Sequence, residues 1–148
     1  MYGNSIITNA NILRNITEFS LFEKRNFKFT KQNRLLKKTE FDAVFRNKIS
    51  ASDQNIIVYF KSNTLKYNRL GIVIGKKVAI AAKRNRFKRI VREAFRKNEI
   101  SKSFSFDIVV LPRKPLNESL KSTDISESLT ALLERLITKN KIQKSDPA

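Results

Sequence analysis

The sequence predicts a single α/β domain, with helices packed on a sheet of three or four strands. Three observations carry this reading. Between residues 29 and 138 the helical and strand patterns alternate as helix, strands, helix, strand, helix. The chain has 148 residues, 41% of them hydrophobic, which suffices for one modest core. Its net charge of +18 is concentrated: residues 31–105 hold twenty basic and five acidic side chains, or fifteen of the eighteen net charges. The charge therefore belongs to the folded middle and not to a tail, which favours a shaped binding surface.

Each element has its own signal. Residues 1–28 are rich in Asn, Ser and Thr without a clear period, and read as a flexible extension. Order begins near Phe29. Thr39 is placed to cap a helix whose apolar positions are Phe41, Val44 and Phe45, with Glu40 and Asp42 in its first turn. A loop is expected from Asn47 to Asn55. Ile56 to Phe60 and Leu70 to Ile74 are rich in β-branched and aromatic residues and read as strands, the second ending in Gly75-Lys76-Lys77-Val78. A basic helix is expected from about Arg84. Phe106 to Leu111 is a further strand, stopped by Pro112 and Pro115. Leu120 to Ile137 places Leu129, Leu132, Leu133, Leu136 and Ile137 on one helical face, and residues 139–148 form a polar tail expected to fray.

Composition excludes whole classes of chemistry. The chain has no Cys and no His, which removes thiol nucleophiles, disulfides, Cys/His zinc sites and imidazole acid–base catalysis. Its carboxylates are scattered, and with three Gly in all it has no Gly-rich phosphate loop. A nuclease acting without help is therefore a poor fit. No apolar run reaches about eighteen residues, and Met1 to Ile7 lack the pattern of a secretion signal. The expectation is a soluble cytoplasmic protein, with no membrane and no small-molecule substrate as partner.

The strongest functional signal lies between Lys83 and Lys97, fifteen residues with eight Lys/Arg and one Glu. Phe87, Ile90, Val91, Ala94 and Phe95 form one helical stripe, while Asn85, Arg89, Arg92 and Arg96 point the opposite way. Eight like charges with Glu93 as their only near acidic partner repel one another unless a polyanion neutralises them. Arg binds phosphate bidentately and stacks on bases, and binding of this kind weakens steeply with salt. A second feature is the set Phe41, Phe45 and Tyr59. From spacing alone these serve either as core or as platforms on which unpaired bases stack.

The stretch Arg69-Leu70-Gly71-Ile72-Val73-Ile74-Gly75-Lys76-Lys77-Val78 is followed by Arg84-Asn85-Arg86-Phe87-Lys88-Arg89-Ile90-Val91-Arg92-Glu93-Ala94-Phe95-Arg96. With Arg34-Leu35, Glu40 to Phe45, and Asp107 to Val110 with Arg113, it closely resembles the protein subunit of bacterial ribonuclease P. The resemblance spans roughly residues 29 to 137. It implies a two-layer α/β (α+β) sandwich ordered αβββαβα, with a small mixed sheet and a left-handed βαβ crossover. That hand runs against the usual right-handed rule, and periodicity does not contain it. The resemblance also implies an RNA-binding subunit of an endoribonuclease that removes the 5′ leader of precursor tRNA. The partner RNA is then the catalyst and uses Mg²⁺. Carried over by position, Arg84, Asn85, Arg86, Lys88, Arg89 and Arg92 contact the catalytic RNA. Phe41, Phe45 and Tyr59, with Lys76 and Lys77, hold the single-stranded leader. The chain departs from the family pattern at Gly75, at Ala79-Ile80 and at Ala82-Lys83, so the resemblance does not fix the backbone between Val78 and Arg84. A general RNA-binding protein, reading charge alone, is the alternative. Whether metal touches the protein, whether it self-associates, and what residues 1–28 do all stay open.

Overall fold

The computed structural model describes residues 29–99, 105–116 and 120–145; the extension read at residues 1–28 lies outside them. A single 3₁₀ turn, Lys31–Asn33, precedes α1, Lys38–Arg46. Thr39 does not cap this helix but sits inside its first turn. Glu40 Oε1 instead accepts the Lys37 backbone N–H at 3.1 Å, satisfying a donor that would be orphaned at the helix start. Asn47 is the C-cap of the helix, and Lys48 turns the chain with a left-handed φ of 59°.

The next segment corrects the expected loop: Ile49–Ser52 is strand β1. It was hidden because a four-residue Ile-Ser-Ala-Ser stretch carries almost no β signature. It pairs antiparallel with β2, Ile56–Ser62. Between them Asp53 Oδ1 accepts the N–H groups of Asn55 and Ile56 at 2.8 and 3.0 Å, closing the hairpin. β3 is Arg69–Ile72, shorter than expected, and β4 is Phe106–Pro112. The basic helix α2, Ala81–Lys97, begins three residues before Arg84, since Ala81, Ala82 and Lys83 favour helix and no Gly or Pro interrupts them. Finally α3, Ser122–Ser145, runs past the end of its apolar pattern. Lys139 Nζ donates to Ser50 O at 3.2 Å and Asn140 Nδ2 to Ser62 Oγ at 2.8 Å, and the sequence has no Gly or Pro between Ser122 and Pro147.

The sheet order is β1-β2-β4-β3, with β3 parallel to β4 and the other pairs antiparallel. Three helices on a four-stranded mixed sheet give the expected α+β architecture among the described residues. The pleat divides the strands between two faces. Ile49, Ala51, Ile56, Val58, Phe60, Leu70, Phe106, Ile108 and Val110 enter the main core with α2 and α3. The opposite face carries a smaller cluster of Leu35, Val44 and Val109, against which Phe41, Phe45, Tyr59 and Leu111 pack. This second face is where the aromatic candidates Phe41, Phe45 and Tyr59 gather.

The hairpin gives a pH test. Burial alone would raise the Asp53 pKa. The Ser128 side chain, the Ile56 and Asn55 N–H groups and the Arg113 charge outweigh it and hold the pKa below the ordinary value. A carboxylate depressed in the folded state stabilises above its unfolded pKa, about 4, and loses that contribution as pH falls through the folded one. The stability gap between wild type and Asp53→Asn in urea unfolding is therefore expected to be full at pH 7 and to shrink below about pH 4. A gap unchanged down to pH 3 would contradict it.

Candidate nucleic-acid interface

On the smaller face, register places three rows across the strands. The first is Lys61, Asp107 and Arg69; the second is Ser50, Tyr59, Val109 and Gly71. The third begins Ser52, Ile57, Leu111, and Val73 follows on by donating its N–H to Val110 O at 3.0 Å. Helix α1, with nine residues, is about 13 Å long and covers only part of this face. Ile57, Tyr59 and Leu111 are left half-buried, and Val73 is 37% exposed. An open apolar floor thus lies beside the helix.

A polar network fixes α1 over the first row. Arg69 grips Asp107 bidentately, Nε to Oδ1 at 2.9 Å and Nη2 to Oδ2 at 2.6 Å, while its Nη1 donates to Glu40 Oε2 at 2.6 Å. Asn63 Nδ2 donates to Asp107 Oδ1 at 2.7 Å. The Asp107 hydrogen bonds lead the causes that raise the Arg69 pKa; burial opposes them, and the Asp107 and Glu40 charges add to the rise. With α1 so anchored, Phe45 meets Tyr59 edge to face, with ring centroids 4.8 Å apart at 74°. Phe41 lies over Gly71, which is why that position has no side chain. A Cβ there would overlap the Phe41 ring, with Cζ 2.8 Å away, and would stand 3.1 Å from Leu35 Cδ1. The three aromatics are thus brought to one face, packed on one side and half-open on the other.

Helix α2 lies on the other side of the sheet. Phe87, Val91, Ala94 and Phe95 are buried and Ile90 is half-buried, as the stripe predicts. Asn85, Arg86 and Arg89 are exposed. Its N-cap is Ile80, which is 68% exposed and has no side-chain acceptor to offer, so the first N–H groups of the helix lack a side-chain cap. Glu93 pairs with Arg96 at 2.8 Å and Lys97 at 3.7 Å, leaving the other cations of the helix without an ion pair among the described residues. The ridge is not uniform, however. Arg84, Lys88 and Arg92 are half-buried, and Lys88 and Arg92 turn into a groove shared with Phe41. Burial, then the charge of Arg34, pushes the Arg92 pKa below its ordinary value.

Lys76 and Lys77 do not end a strand. They are exposed in a turn closed by the Val78 N–H on Gly75 O at 3.1 Å, and no described contact sets them against Phe41, Phe45 or Tyr59. Reasoning from spacing missed the Glu40–Arg69–Asp107 network, because three residues from three elements give no local pattern. It also missed Arg34 as a neighbour of α2. Among the described residues no cluster of three or more carboxylates is able to hold a metal ion, and no helix is long and apolar enough to cross a membrane.

Residues 29–137 match the family model described as Ribonuclease P. The ribonuclease P protein component of Thermotoga maritima is 40% identical over 111 residues, covering 73% of this chain and 95% of that protein. Its counterpart from Pseudomonas aeruginosa is 38% identical over 122 residues, covering 81% and 88%. Among solved structures, the RNase P protein from Thermotoga maritima aligns with a TM-score of 0.61 at 39% identity, over 69% of this chain and 96% of that one. That from Staphylococcus aureus aligns with a TM-score of 0.59 at 30% identity, over 70% and 94%.

Proposed function

Because the chain belongs to the ribonuclease P protein family, we propose that it is the RNA-binding subunit of a ribonuclease P holoenzyme. In this reading the partner RNA cleaves the 5′ leader from precursor tRNA and the protein binds both RNAs. The observation that carries it is the presence of two different surfaces on one small domain. The exposed cations of α2, Arg86 and Arg89 with Asn85, suit the phosphates of a large folded RNA. Arg84, Lys88 and Arg92 extend the same set into its half-buried flank. The open aromatic face of Phe41, Phe45 and Tyr59 suits unpaired bases, which stack on rings whatever their sequence. Lys76 and Lys77 add mobile charge beyond the end of β3.

The protein's part is to bind and orient. Stacking holds the leader extended, and the cationic ridge keeps the two RNAs together despite their mutual repulsion. Mg²⁺ supplies its chemistry at the catalytic RNA. Among the described residues no group of three or more acidic side chains is placed to hold such an ion. Placement in the cytoplasm follows from the substrate and is part of the same proposal. Reconstitution tests it. Adding the protein to its cognate RNA at a Mg²⁺ concentration too low for the RNA alone is expected to restore leader cleavage. No gain in rate would contradict the proposal.

A further inference from the structure

The groove between α1 and α2 holds features that neither surface accounts for. Residues 34 and 35 run beside the β3 edge: Arg34 bridges Leu70 in parallel register, and Leu35 N–H donates to Leu70 O at 3.0 Å. This segment carries Arg34 towards the basic helix, where its guanidinium lies 5.3 Å from the centroid of the Phe29 ring. Phe29 in turn meets Phe95 of α2 edge to face, with centroids 5.9 Å apart. A groove of about 190 Å³ results, lined by Arg34, Leu36, Phe41, Ile72, Lys88 and Arg92. Three cations converge on it with no acidic residue in its lining, and none makes an ion pair among the described residues. Leu36, 58% exposed, adds a large apolar surface beside the Phe41 ring.

We infer that this groove is a nucleotide site for the single-stranded substrate, with one phosphate held by Arg34, Lys88 and Arg92 and its base against Phe41 and Leu36. The inference rests on the reading of the aromatic face as a leader path. It moves Lys88 and Arg92 from the catalytic-RNA contacts to the substrate contacts, and it assigns Arg34 a role. Like charges held together at a groove wall are costly to the protein alone, and the burial and Arg34 charge that disfavour the Arg92 cation are relieved by a bound anion. Phe41 borders both the sheet cluster and this groove, so a strand leaving the aromatic face can reach the cations directly.

The test uses the reconstituted holoenzyme and precursor tRNAs carrying leaders of one to ten nucleotides. Arg34 is exposed, so Arg34→Gln leaves the fold intact. Wild type is expected to gain affinity as the leader lengthens, in steps. Arg34→Gln is expected to remove one of those steps, about a tenfold loss for long leaders, and to lower the salt slope by about one. Mature tRNA binding and assembly with the catalytic RNA stay unchanged. Arg34→Lys recovers part of the step. An assembly defect without leader-length dependence would assign the groove to the catalytic RNA and overturn the inference, as would no change in either. If Arg34→Gln is silent while Phe45→Leu flattens the leader dependence, only this inference fails. If wild type itself shows no leader dependence, the parent reading fails.

Discussion

Arg69→Ala is expected to destabilise the domain by about 3 kcal/mol. Asp107 is only 3% exposed, and Arg69 supplies two of its hydrogen bonds, at 2.9 and 2.6 Å. Without the guanidinium, the carboxylate keeps the Asn63 amide and loses its counter-charge in a site that water reaches poorly. Glu40 loses its partner on the sheet as well, which loosens α1 and with it the placement of Phe41 and Phe45. Urea unfolding measures the loss. Glu40→Gln, which leaves the Arg69–Asp107 pair whole, is expected to cost about 1 kcal/mol or less. A loss under 1 kcal/mol for Arg69→Ala would mean that packing alone holds the helix.

Replacing Arg86 and Arg89 together by Ala is expected to weaken assembly with the catalytic RNA about a hundredfold at moderate salt. Each contact between a guanidinium and a phosphate contributes about 1.5 kcal/mol at its lower bound, and two of them give roughly 3 kcal/mol. The dependence on salt should fall by about two in slope. Folding stability should not change, since both side chains are exposed and neither makes an ion pair among the described residues. Filter binding or fluorescence titration across a salt series separates these effects. An unchanged slope would place the contact elsewhere.

Much of this architecture is legible because periodicity records burial. The stripe from Phe87 to Phe95 and the Leu129-to-Ile137 face both pack as their spacing requires. The strands Ile56–Ser62 and Phe106–Pro112 announce themselves by β-branched and aromatic residues. β1 escapes because Ser50 and Ser52 face away from the core and Ala51 is neutral, so tertiary pairing alone makes it a strand. The site follows the same logic. The cationic ridge is a local pattern on one helix and is visible at once. The aromatic face needs the sheet to bring Tyr59 to Phe45, and spacing cannot separate that role from core packing. The groove is least legible of all: Arg34 and Arg92 are far apart in sequence, and they meet only because residues 34 and 35 extend the sheet edge beside α2.

On the proposed function, one small domain presents two RNA surfaces that fail independently. Measuring dissociation constants of variant holoenzymes for precursor and mature tRNA, alongside protein affinity for the catalytic RNA, tests it most directly. Phe45→Leu keeps an apolar contact with Tyr59 and removes the ring. It is expected to weaken precursor binding by about 1–3 kcal/mol, with mature tRNA and assembly unchanged. Arg89→Ala is expected to do the reverse, weakening assembly while the ratio of precursor to mature affinity stays at its wild-type value. Equal losses for both substrates in both variants would contradict two separate surfaces and leave a protein that binds RNA by charge alone.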